Sequence, residues 1–144
     1  MADDDVVALR AGAVVQTRRL ERNGRPLRVV IAEDEAVVAL DLQDVIRDAG
    51  GDVVGIAVRG EDAITLSAAL RPDVVLMDVH LMGDLDGIEA ARAIKSMRGI
   101  AVIFVTAHGD SDTLRRMFDV VPTSPLIKPI SEAHLREVIM RVCQ

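Results

Sequence analysis

The sequence predicts an α/β fold: a doubly wound parallel sheet of five strands alternating with five helices. Three observations predict it. Five short apolar runs, rich in valine and isoleucine, recur between residues 27 and 129 and alternate with segments of helical periodicity. The runs are mostly apolar throughout rather than alternating with polar residues, which is the pattern of strands covered by helices on both faces, as in parallel sheets. Four of them end on polar residues, at Glu33-Asp34, Asp78, Thr106 and Lys128, where open α/β sheets place their chemistry.

The first strand, L-R-V-V-I-A over residues 27–32, meets Glu33-Asp34-Glu35. A helix over 36–49 follows, with Val38, Leu42, Val45, Ile46 and Ala49 on one face and Asp41, Asp44 and Asp48 on the other. Gly50-Gly51 stop it. The second strand is D-V-V-G-I-A-V, residues 52–58, and a second helix over 61–70 turns Ala63, Leu66 and Leu70 inward. Arg71-Pro72 closes that helix, because the residue before a proline is disfavoured in helical conformation. The third strand, P-D-V-V-L-M-D from Pro72 to Asp78, opens into the loop V-H-L-M-G-D-L-D-G. Ile88, Ala91 and Ile94 mark a third helix, with Glu89, Arg92 and Ser96 on its outer face. The fourth strand, residues 100–106, ends at Thr106, and the helix after it, 111–119, turns Leu114, Met117 and Phe118 inward. S-P-L-I-K-P, residues 124–129, is a short fifth strand ending at Lys128. Ser131 caps a last helix that buries Leu135, Val138, Ile139 and Val142. With right-handed crossovers, one doubly wound order for five strands is the flavodoxin-like 2-1-3-4-5, with its site at the junction of strands 1 and 3.

Residues 1–27 read as an N-terminal extension to a domain over 28–144. An acidic tip, M-A-D-D-D, precedes a stretch in which Val6, Leu9, Ala13, Thr17 and Leu20 would line one face of a helix ended by Asn23-Gly24. The extension is expected to be partly ordered or helical, either without a partner or docking on one.

The net charge of −6 is uneven: residues 1–28 carry six arginines against four acids, and the remainder stands at −8. Such a domain is a poor ligand for a phosphate backbone, and with Phe104 and Phe118 as its only aromatics it has no base-stacking surface, so nucleic acid is not expected as a partner. The single Cys143 excludes an internal disulfide framework and fits a reducing compartment. No apolar run approaches the length of a membrane span, and the acidic start is unlike a secretory signal. A cytoplasmic protein without membrane contact is expected.

All strand ends of a parallel sheet lie on one edge, so Glu33, Asp34, Asp78, Thr106 and Lys128 converge. Two carboxylates about 5 Å apart repel by roughly 3 kcal/mol at an effective dielectric near 20. Three in one pocket raise a pKa or recruit a cation, and a hard divalent ion such as Mg²⁺ suits oxygen ligands. Carboxylates, Mg²⁺, an ammonium and a hydroxyl together can handle a phosphoryl group, with Asp78 as a nucleophile forming an acyl phosphate.

The E-D pair after strand 1, L-M-D at strand 3, V-T-A at strand 4 and K-P at strand 5 resemble the receiver domain of bacterial two-component response regulators, over residues 28–143. The resemblance implies that Asp78 is the phosphoacceptor, that Glu33, Asp34, Asp78 and the backbone carbonyl of His80 bind Mg²⁺, that Thr106 is the switch hydroxyl, and that Lys128 binds the phosphoryl group. Ala107 matches the small residue that leaves that group accessible. It further implies phosphotransfer from a histidine kinase or phosphotransfer protein, autodephosphorylation, and no enzymatic activity beyond these. Output would be binding of a downstream protein through the helix 4–strand 5–helix 5 face, with Arg115, Arg116, Arg136, Glu137 and Arg141 as exposed contacts. A homodimer stays open. Because the chain stops after helix 5, a stand-alone receiver is expected.

The sequence departs from the family in two places. Pro125 stands where an aromatic switch residue is common, and the loop after Asp78 lacks the usual proline and is one residue longer. His80 and His108 follow Asp78 and Thr106 by two residues, and either tune hydrolysis or are exposed loop histidines. Two rival readings are a receiver-fold binding module that does not use phosphorylation, and an aspartate-nucleophile phosphohydrolase. The second is disfavoured because His80 occupies the place of its second acid.

Overall fold

The five apolar runs pair into one sheet. The computed structural model describes residues 6–8, 14–16, 19–107 and 109–143. The elements are β1 (Val6–Ala8), β2 (Val14–Gln16), β3 (Glu21–Arg22), β4 (Arg25–Pro26), β5 (Arg28–Ala32), α1 (Ala36–Asp48), β6 (Asp52–Ala57), α2 (Gly60–Leu70), β7 (Val74–Asp78), α3 (Gly87–Lys95), β8 (Ala101–Thr106), α4 (Ser111–Val120), β9 (Leu126–Ile127) and α5 (Glu132–Val142). The main sheet has the order β6-β5-β7-β8-β9, every pair parallel, which is the expected 2-1-3-4-5 arrangement. From β5 the chain crosses to β6 on one side and then back to β7 on the other, so the carboxyl ends of β5 and β7 lie next to each other at the switch point.

Period-two alternation along each strand divides the core between the two faces. Val30, Ala32, Val75, Met77, Val102 and Phe104 pack with Ala63 of α2, Ile88, Ala91 and Ile94 of α3 and Met117 of α4. Val29, Ile31, Val74, Leu76, Ile103, Val105 and Leu126 pack with Leu42 and Ile46 of α1 and Leu135 and Ile139 of α5. This explains why the runs carry no polar alternation: both faces of the central strands are dry.

The expected helix between Val6 and Leu20 is corrected by the structure. Val6–Ala8 and Val14–Gln16 are antiparallel strands, and Glu21–Arg22 pairs with Arg25–Pro26. The Val-Val pairs favour strand over helix, since branching at Cβ restricts the side chain in a helix. Asn23-Gly24 is a hairpin turn rather than a helix end: Asn23 has φ 54° and Gly24 φ 75°, the positive values a two-residue type I′ turn requires. Leu9, Ala13 and Thr17 lie outside the described residues.

The hairpin is bound to the domain. Leu20 donates its N–H to the Ala49 carbonyl at 2.8 Å, and Leu27 donates to the Leu20 carbonyl at 2.8 Å. Leu20 is 2% exposed and joins the core with Leu27 and Ile46. Truncating it to alanine is expected to destabilise the domain by about 2–3 kcal/mol, read as a lower urea midpoint at unchanged slope. An unchanged midpoint would mean that the hairpin contributes nothing to the fold.

Three further expectations are revised. The fifth strand shrinks from 124–129 to Leu126–Ile127, because Pro125 and Pro129 flank it and neither has an N–H for the ladder. Phe118 is 45% exposed rather than inward, while Met117 takes the core position. Arg136, expected on the surface, has a side chain only 15% exposed, a 3.8 Å ion pair with Glu132, and Nε and Nη1 buried without a hydrogen-bond partner among the described residues. Ser131 does cap α5, accepting the His134 N–H at 3.1 Å. Among the described residues no helix is long and apolar enough to cross a membrane.

Candidate functional site

The site lies where β5, β7, β8 and β9 end. Glu33 follows β5 directly and its N–H bonds the Ala57 carbonyl at 2.9 Å, which fixes its backbone at the sheet edge. Asp78 is the last residue of β7, in register with Val105 of β8. Thr106 closes β8, in register with Ile127, and its carbonyl accepts the Lys128 N–H at 2.9 Å. The backbone ladder thus sets four of the five expected residues side by side, and Asp34 follows Glu33.

Lys128 joins the two carboxylates. Its Nζ donates to Glu33 Oε1 at 3.0 Å and Oε2 at 3.3 Å, and to Asp78 Oδ2 at 3.4 Å. Glu33 is 1% exposed, Asp78 5% and Thr106 0%, so the group sits in a medium that strengthens charge interactions. Burial pushes the Glu33 carboxyl up to about 8; Asp78 beside it adds to the rise and Lys128 opposes it. Burial works against the Lys128 charge too, but Glu33 and Asp78 outweigh it and hold the ammonium above its ordinary range.

Asp34 is half-buried and Glu35 exposed. Oxygens of Glu33, Asp34 and Glu35 all lie within 4.8 Å of one another. Hard carboxylate oxygens so gathered fit a Mg²⁺ ion, with Asp78 held close to Glu33 by the Lys128 ammonium that both accept from. Glu35 was not among the expected ligands, although the E-D-E run was the signal that marks it. His80 is exposed, and its backbone N–H donates to Asp78 Oδ1 at 3.1 Å, fixing the Asp78 carboxylate from the loop side. His108 lies outside the described residues. Pro125 is half-buried and Ala107 exposed. Burial raises the Cys143 thiol to about 11, consistent with a packing role away from this site.

Comparison with known proteins agrees with this fold. The family profile of the response regulator receiver domain matches residues 29–140. Transcriptional regulatory protein PdtaR of Mycobacterium tuberculosis (strain ATCC 25618 / H37Rv) is 40% identical over 110 residues, covering 76% of this chain and 53% of that protein. The chain therefore spans about half the length of that relative. Chemotaxis protein CheY of Thermotoga maritima is 30% identical over 116 residues, covering 80% of this chain and 96% of that one. Among solved structures, the signal receiver domain of a modulated diguanylate cyclase from Desulfovibrio desulfuricans G20 superposes with a TM-score of 0.78 at 33% identity, covering 82% of this chain and 94% of that chain. Receiver domains act in two-component phosphorelay signalling, typically bind Mg²⁺ at an acidic pocket, and are generally non-enzymatic signalling domains that interact with histidine kinases and phosphotransfer proteins. The chain, through the domain over 29–140, belongs to the response regulator receiver domain family.

Proposed function

We propose that this receiver takes a phosphoryl group on Asp78 from the phosphohistidine of a histidine kinase or phosphotransfer protein, and that the modified domain signals by binding another protein. The observation that supports it most is the placement of the Lys128 ammonium within 3.4 Å of both Glu33 and Asp78 at a buried strand end. A half-buried lysine shared by two carboxylates is a preorganised counter-charge for an incoming dianion.

The chemistry balances without another reactant. An Asp78 oxygen attacks phosphorus; the new P–O bond forms as the P–N bond of the donor breaks, and the imidazole leaves with the electron pair and takes up a proton. Later a water oxygen attacks the same phosphorus, the P–O bond to Asp78 breaks, and phosphate leaves a regenerated carboxylate. Glu33, Asp34, Asp78 and the His80 carbonyl would hold Mg²⁺, which when bound supplies charge neutralisation at the phosphoryl oxygens. Lys128 moves its contact from Asp78 to a phosphoryl oxygen, and the Thr106 hydroxyl donates to another. The output partner docks on α4, β9 and α5, where Phe118 and Ile127 are 45% and 47% exposed.

Incubation with acetyl phosphate and Mg²⁺ is expected to give a labile adduct of one phosphoryl group, found by intact mass, on the wild type and none on Asp78→Asn. No adduct on either leaves the binding module as the reading. Rapid turnover of unrelated phosphate esters would favour the hydrolase.

A further inference from the structure

We infer that Glu61, at the start of α2, is a positioning residue for the loop after Asp78, holding residues 79–86 in the conformation that presents the His80 carbonyl and the Asp78 carboxylate to Mg²⁺ and the phosphoryl group. The inference rests on the functional reading above.

The loop needs such a restraint. It runs from Val79 to Asp86 without a proline to stiffen it and contains Gly83 at φ 102°. Its unfolded freedom has to be removed by contacts. Its start is tied to the strand end, where the His80 backbone N–H donates to Asp78 Oδ1 at 3.1 Å, and its two ends are tied to each other, where Gly87 donates to the Val79 carbonyl at 2.9 Å. The middle is tied to α2. Glu61 Oε1 accepts the consecutive N–H groups of Asp84 at 3.0 Å and Leu85 at 3.1 Å. Consecutive amides that converge on one oxygen make an anion cradle, and here the anion is supplied by the protein itself. Hydrogen bonds to an ionised acceptor are roughly twice as strong as neutral ones.

The surrounding residues are shaped around this contact. A Cβ on Gly83 would lie 2.7 Å from Glu61 Oε2, so the glycine leaves room for the carboxylate. A Cβ on Gly60 would lie 2.8 Å from the Leu85 carbonyl, so α2 and the loop meet backbone to backbone. Arg59, the residue before α2, forms a parallel bridge with Met82. Three consecutive residues, 59–61, thus grip residues 82–85. Glu61 is not one of the clustered acids at the metal pocket, so its influence on the site passes through the loop. Asp62 provides the control: it is also an acid in the first turn of α2 and offers the same favourable charge to the helix N-terminus, yet it is exposed to solvent.

The test titrates Mg²⁺ alone into the wild type and variants by calorimetry and follows amide exchange at Asp84 and Leu85 by NMR. Glu61→Ala is expected to weaken Mg²⁺ binding about tenfold, the size of effect seen when support for metal ligands is removed, and to speed exchange at both amides by about as much. Glu61→Gln, which keeps Oε1 as an acceptor but not its charge, recovers about half of both effects on a logarithmic scale. Glu61→Asp, which keeps the charge but shortens the reach to the two amides, shows both losses in smaller measure and serves should Glu61→Ala not fold. Asp62→Ala leaves both at the wild-type value. Wild-type Mg²⁺ affinity in Glu61→Ala, or an equal loss in Asp62→Ala, overturns the proposal. A wild type that binds no Mg²⁺ and takes no phosphoryl group overturns the functional reading and this proposal with it, whereas a wild type that does both beside an unaffected Glu61→Ala overturns this proposal alone.

Discussion

Gly87→Ala is expected to destabilise the domain by at least about 3 kcal/mol, the upper end of what an added methyl costs in a packed interior, and to displace Asp78. The reason is what the methyl meets. A Cβ at Gly87 would lie 1.8 Å from the Asp78 carbonyl oxygen and 2.9 Å from the Val79 Cα. Both are backbone atoms at the end of a central strand, so no side chain can rotate away. The chain is held there by the Gly87 N–H bond to the Val79 carbonyl and by the capping box of Asp86 and Glu89 that starts α3. Asp86 also receives Arg116 Nη2 of α4 at 2.8 Å, so movement at Gly87 strains that link too. Thermal unfolding should fall by roughly 10 °C or more for a domain of this size. Any folded fraction should take up phosphoryl groups more slowly than the wild type. A variant within about 1 kcal/mol of wild type would show that the α3 entry can shift freely, contrary to the packing described.

Between pH 5 and 8 the metal-free domain is expected to lose stability on account of Glu33, by an amount on the order of a few kcal/mol. The folded protein holds this carboxyl up at about 8, from an ordinary value of 4.5. The fold therefore binds the Glu33 proton more tightly than the unfolded chain does. The resulting stabilisation is complete below the ordinary carboxyl range and is lost as pH rises through about 8. Lys128, held above its ordinary range, loses its contribution only at higher pH, and Asp86, held below its ordinary range despite its own burial, loses its contribution only in acid. Neither falls in the window. Melting curves of the wild type and Glu33→Gln from pH 5 to 8 separate this group from the others: the wild type should decline relative to the variant. Mg²⁺ at pH 8 should restore wild-type stability, since a ligand that requires the ionised carboxylate removes the burden of the buried charge. Parallel curves would show that Glu33 ionises freely in the folded state. Under the proposed function, a declining wild type makes the unfavourable Glu33 carboxylate a functional cost, its charge serving to bind a cation beside the phosphoryl group.

Much of this was legible in the chain because buried parallel strands have a simple signature. Val29 to Ala32, Val74 to Met77 and Val102 to Val105 are apolar on both faces, so each run announces its own length, and the residue that ends it falls on the site edge. That is why Glu33, Asp78 and Thr106 could be placed before any coordinates. Lys128 was legible for the same reason, though its strand proved only two residues long. The Ser131 cap was readable as well, because capping depends on a residue type at one position.

Other features depended on neighbours distant in sequence. The strands at Val6–Ala8 and Val14–Gln16 have spacings that also fit a helix face, and Asn23-Gly24 serves equally to end a helix or turn a hairpin; pairing partners decide between them. Phe118 and Met117 are adjacent on α4, and only the position of α3 and the sheet determines which one is covered. Glu61 looks like an ordinary acid of a helix first turn until the loop of Asp84 and Leu85, more than twenty residues later, folds over it. Sequence alone thus set the sheet, its order and the residues along its functional edge, since local hydrophobicity and chain direction specify these. Tertiary structure alone decided how the hairpin docks, how far Lys128 reaches and what holds the loop after Asp78, since each is a contact between segments whose separation carries no periodic signal.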